Sequence, residues 1–90
     1  MNLTMKDLEK CFETAKENNR PFVGVAIAMQ GFPKPEVIIN PEANYDEKLD
    51  YYKKAYNDDL TLKTFNGIRI VGFACANNYH DIVYRETTTA

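Results

Sequence analysis

The sequence predicts a two-layer α+β domain in the order α-β-β-α-β, with a three-stranded, mainly antiparallel sheet (strand order 2-1-3) and two helices on one face. Three observations lead there. Phe22 to Met29 is a run of eight uncharged residues in a chain that is otherwise rich in charge, 27% overall. Two segments, 4–17 and 44–57, repeat apolar residues at spacings of three and four, the period of a helix with one buried side. Two more runs, Glu36 to Asn40 and Ile68 to Cys75, are rich in β-branched residues, which suit a pleated surface.

The first helix is expected to start at Thr4. Asp7 stands three residues on, an acidic variant of the capping box, and its carboxylate sits at the positive end of the helix dipole. Met5, Leu8, Cys11, Phe12 and Ala15 make the buried stripe, while Lys6, Glu9, Lys10, Glu13, Lys16 and Glu17 point elsewhere. Asn18 and Asn19 followed by Pro21 should stop it, because asparagine tolerates the left-handed region and the residue before proline resists helical angles.

The uncharged run is far too short to cross a bilayer as a helix, which takes roughly 20 residues, so it is read as the central strand. Side chains alternate along a strand. Val23, Val25, Ile27 and Met29 therefore share one face, and Phe22, Gly24, Ala26 and Ala28 the other. Both faces are apolar, so both call for cover.

Gly31-Phe32-Pro33-Lys34-Pro35 reads as a bent loop and Glu36 to Asn40 as a second strand, joined to the first as a hairpin. Asn44 with Glu47 marks the second helix, whose stripe is Tyr45, Leu49, Tyr52 and Tyr56 and which should run to about Asn57. Leu60 to Phe65 reads as an irregular loop crossing the sheet, with a short strand before a tight Asn66-Gly67 turn as the alternative. Ile68 to Cys75 is the third strand. Residues 77–84 are expected to hold a short helical segment. The domain is read as residues 1–86, with 87–90 as a frayed tail.

Eleven basic and thirteen acidic residues give a formal charge of -2, which argues against a general polyanion binder but leaves a local basic patch open. Cys11 and Cys75 have no metal-ligand spacing and read as buried free thiols in a reducing compartment; a disulfide between them stays open. The first residues lack the pattern of a secretory signal, so a cytoplasmic location is expected and no membrane is implicated.

From Gly31 to Ala74, GFPKPEVIINPEANYDEKLDYYKKAYNDDLTLKTFNGIRIVGFA resembles small proteins of unknown function carried by phages and prophages of Gram-positive bacteria. The likeness is carried by the acidic, tyrosine-rich helix YDEKLDYYKKAYNDDL followed by GIRIVGF. It implies a phage-borne protein of the host cytoplasm and carries no catalytic or binding role across.

No catalytic constellation is legible, and no cofactor or metal is implied. His80 beside Asp81 is the one imidazole–carboxylate neighbourhood, but a lone histidine in a polar tail is ordinarily solvated. Asp46, Glu47 and Asp50 are interleaved with Lys48, Lys53 and Lys54, so surface ion pairing explains them better than a metal cleft. The four glycines stand apart, and none opens a helix as a phosphate-cradling loop does.

Two binding readings follow. The first is a non-enzymatic protein acting through protein contacts, a homodimer packed on Phe22, Gly24, Ala26 and Ala28, with Val71, Phe73 or Ile38 alongside and Tyr51 as a further contact; a host or phage protein is the other partner class. Its competitor for that face is the segment Tyr79 to Tyr84. The second is a nucleic-acid-associated module in which Lys53, Lys54 and Arg69 supply the cations beside the tyrosine helix.

Overall fold

The computed structural model describes residues 3–76 of the 90-residue chain. Along them run α1 (Met5–Glu17), β1 (Phe22–Met29), β2 (Glu36–Pro41), α2 (Tyr45–Ala55), β3 (Thr61–Leu62) and β4 (Phe65–Ala76), with a 3-10 turn over Glu42–Asn44 leading into α2. The expected C-terminal helical segment, the frayed tail 87–90 and the His80–Asp81 pair lie outside the described residues.

The helix signals act as the sequence implies. The Asp7 carboxylate accepts from the Thr4 amide at 2.8 Å and from the Thr4 hydroxyl at 3.1 Å, closing the first turn of α1. At the other end Asn19 takes a positive φ of 54°, and the Arg20 amide returns to the Ala15 carbonyl at 2.8 Å. Met5, Leu8, Phe12 and Ala15 are buried from α1, and Tyr45 and Tyr52 from α2. They form one core with Val23, Val25, Ile27, Leu60 and Ile70, so both helices lie on the same face of the sheet. Burying a large apolar side chain contributes about 1.5–3 kcal/mol, and this shared cluster is what holds the two layers together.

The sheet is where the structure corrects the reading. It has four strands, in the order β2-β1-β4-β3, not three. β1 still sits in the middle, antiparallel to β2 and to β4. The extra strand is β3, in the segment expected to be a loop: Thr61 pairs with Arg69 and Leu62 with Phe65. The tight turn is Lys63-Thr64, and Asn66-Gly67 lies inside β4. α2 ends at Ala55 rather than Asn57 because Tyr56 goes extended, φ -117° and ψ 149°, and bridges to Leu62. Between them Leu60, fully buried, holds a φ of 71° that turns the chain back toward β4; its carbonyl accepts from the Ile70 amide at 2.9 Å.

β4 carries a bulge. Ala26 faces Gly72 and Ile27 faces Ile70, which leaves Val71 as an extra residue. A bulge of this kind inverts the alternation of every side chain beyond it. Ile68 and Ile70 point toward the helices before it, and Phe73 and Cys75 point toward them after it.

One buried polar residue belongs to the core. Asn40, at 0% exposure, donates through Nδ2 to the Val23 carbonyl at 3.1 Å and more weakly to Ile38 at 3.4 Å, so its amide is satisfied without water.

Candidate functional site

The face of the sheet away from the helices is built from cross-strand neighbours. Phe22, Gly24, Ala26 and Ala28 alternate with the core residues of β1, and the register sets Ile39 beside Gly24 and Val37 beside Ala26 on one side, with Ala74 and Gly72 on the other. Gly24 and Ala26 are themselves buried, Ala26 at 4% exposure. Phe22, Ala28, Val37, Ile39, Gly72 and Ala74 are half-buried around them, and Val71 on the bulge is 40% exposed. The result is a small-residue floor inside an apolar rim.

Three of the expected contacts move. Phe73 does not join this face: it packs against the core on the helix side, because the bulge at Val71 inverts its orientation. Ile38 stands opposite Val25 and packs on the helix side too. Tyr51 is 51% exposed on α2, across the molecule from the helix-free face, so one flat contact cannot use both; its ring meets Tyr52 edge-on at 5.4 Å and lies under Lys48.

The cationic set does not converge either. Lys53 bridges to Glu9 of α1 at 3.1 Å and Lys54 to Asp50 at 2.9 Å, while Lys16 pairs with Asp46 between the same helices. Arg69 stands opposite Ala28, on the face α2 does not touch. Two of the three cations thus already meet carboxylates, and the third is in the other layer.

Among the described residues no group of three or more His, Cys, Asp or Glu side chains could hold a metal ion. No family model, curated protein or solved structure matches this chain. No helix among the described residues is long and apolar enough to cross a membrane.

A second feature was not anticipated from the sequence. Between α1 and β4 runs an open groove of about 390 Å³, lined by Asp7, Lys10, Cys11, Thr14, Phe73, Ala74 and Cys75. Cysteines from opposite ends of the chain both line it, each half-buried. Burial, and then a charge on Cys75, push the Cys11 thiol up to about 11, as desolvation and a like charge both disfavour the thiolate. The signal that could have found the pair is the bulge, which has no marker in a single sequence beyond the small residue Gly72.

Proposed function

We propose that the protein is a non-enzymatic accessory protein that works by protein contact, first of all with a second copy of itself, through the helix-free face of the sheet. The observation that supports it is that both helices pack on one side of β1, leaving Phe22, Ala28, Val37, Ile39 and Val71 with no described helix or strand stacked on them. A floor of Gly24 and Ala26 suits close approach by another backbone, and self-association would add apolar burial to a chain short enough to have little of its own. The resemblance to small phage proteins supports a phage-type role in the host cytoplasm.

Light scattering at two concentrations tests it. The expected result is a dimer mass at the higher concentration, reduced to the monomer by Val37→Lys or Val71→Lys, which place a charge on the rim without touching the helix-side core. A wild-type chain that is monomeric at both concentrations rejects the proposal. Equal dimerisation of both lysine variants moves the contact elsewhere.

A further inference from the structure

Cys11 and Cys75 are separated by most of the sequence, yet the fold brings them to one wall-and-floor arrangement. Cys11 lies on the edge of α1 that overlooks β4, between Lys10 and Thr14 of the same groove lining. Cys75 points to the helix side because the bulge at Val71 turns it there, and it packs beside Phe73 against the same core cluster as Cys11. Both thiols are only half-buried, and the groove opens to solvent, so a small reagent has access. Lys10 and Asp7 both line the groove, and the Asp7 carboxylate is turned back onto Thr4, which leaves the approach to the cysteines clear of it.

We propose that Cys11 and Cys75 are a redox-active dithiol that closes to an intrachain disulfide by exchange with a low-molecular-weight disulfide such as oxidised glutathione. The thiolate of Cys75 attacks one sulfur of the small disulfide; a Cys75–glutathione bond forms, the reagent's own S–S bond breaks, and the first glutathione leaves as a thiolate that takes up a proton. Cys11 then loses its proton and attacks Sγ of Cys75, expelling the second glutathione. Two protein thiols are oxidised, one small disulfide is reduced to two thiols, and the two protons pass to the leaving groups. Cys11, whose thiolate is disfavoured by burial, is the resolving partner. The product ties the middle of α1 to the end of β4, which links the first helix covalently to the last described strand.

Intact full-length protein treated with oxidised glutathione, quenched with acid and mapped by mass spectrometry without reduction tests this directly. The expected result is the loss of two hydrogens per chain, the disappearance of both maleimide-reactive thiols, one linked peptide pair joining Cys11 to Cys75, and full recovery on adding dithiothreitol. Stable glutathione adducts with no internal link, a covalent dimer, or an unreacted chain would each overturn the proposal. In Cys11→Ser the resolving thiol is absent, so Cys75 should retain one glutathionyl group; a C11S chain that stays unmodified also counts against it. The wild-type mapping stands on its own should the serine variant fold poorly.

Discussion

The hydroxyl of Tyr52 donates to Oδ1 of Asn40 across 3.4 Å, so a residue in the middle of α2 is joined to the end of β2 inside the core. Both side chains are closed to solvent, at 1% and 0% exposure. Because the amide of Asn40 also caps the Val23 carbonyl, removing it orphans groups on two elements, and an unsatisfied buried polar group costs about 1–3 kcal/mol. Asn40→Ala, which removes the bonds to Val23, Ile38 and Tyr52, should therefore lower stability in urea by more than Tyr52→Phe, which leaves Oδ1 of Asn40 as a buried acceptor without its hydroxyl donor. Equal effects of the two variants would show that the amide contributes nothing beyond its bond to Tyr52.

The aromatic core gives a second outcome. Phe12 is fully buried and meets the ring of Tyr45 edge-on, with centroids 5.4 Å apart. Phe12→Ala should cost about 3–5 kcal/mol. Tyr51→Ala, on the outer surface of the same aromatic group, should cost under about 1 kcal/mol, in line with most surface changes. Denaturant midpoints of the two variants measure the contrast.

Leu60 provides a test of backbone strain. Its φ of 71° lies in the left-handed region, where a residue with a Cβ is disfavoured by about 1–2 kcal/mol. Either truncation loses a fully buried side chain. The usual order, in which glycine is less stable than alanine, should reverse here: Leu60→Gly should unfold at a higher urea concentration than Leu60→Ala. The ordinary order would mean that the turn relaxes when the side chain is removed.

Alkaline pH should unfold the domain. Burial, followed by the charge of Glu42, pushes Tyr45 up to about 12, while its hydroxyl donates to the Arg20 carbonyl at 2.7 Å. Burial raises Tyr52 and Tyr56 as well, and Cys11 goes up to about 11. In each case the folded state holds its proton more tightly than the unfolded chain. The resulting stability is complete below the ordinary values of 9.0 for the thiol and 10.0 for the phenols and is lost as pH climbs toward the folded ones. Urea midpoints should be flat near neutrality and fall between about pH 9 and 12, with Tyr45→Phe falling less steeply. A midpoint unchanged at pH 11 would contradict this.

Both helices, and the central place of β1, were legible in the residues themselves. Met5, Leu8, Phe12 and Ala15 keep a helical spacing that no strand could use, and Phe22 to Met29 is apolar on both faces. β3 was not legible. A two-residue strand has too few side chains to show a period, and the stronger turn signal, Asn66-Gly67, lies within β4 while the chain reverses at Lys63-Thr64. The core role of Asn40 was hidden too, since an asparagine before a proline reads as a turn until Tyr52 and Val23 are seen around it. Phe22, Gly24, Ala26 and Ala28 fall on the sheet face away from the helices, as alternation alone implies. Phe73 does not, because parity counted from Ile68 fails beyond Val71.

The added residue at Val71 also governs which changes of length the strand can survive. Deleting Val71 would remove the bulge and leave a regular strand, with Phe73 and Cys75 still opposite Val25 and Val23 and still toward the helices. Deleting both residues between Ile70 and Phe73 would instead turn Phe73 and Cys75 away from the helices, and the hairpin between Met29 and Glu36 should accept single insertions freely. In a lineage of this chain, gaps of one should therefore collect in the hairpin and at Val71, and gaps of two should be absent around Val71.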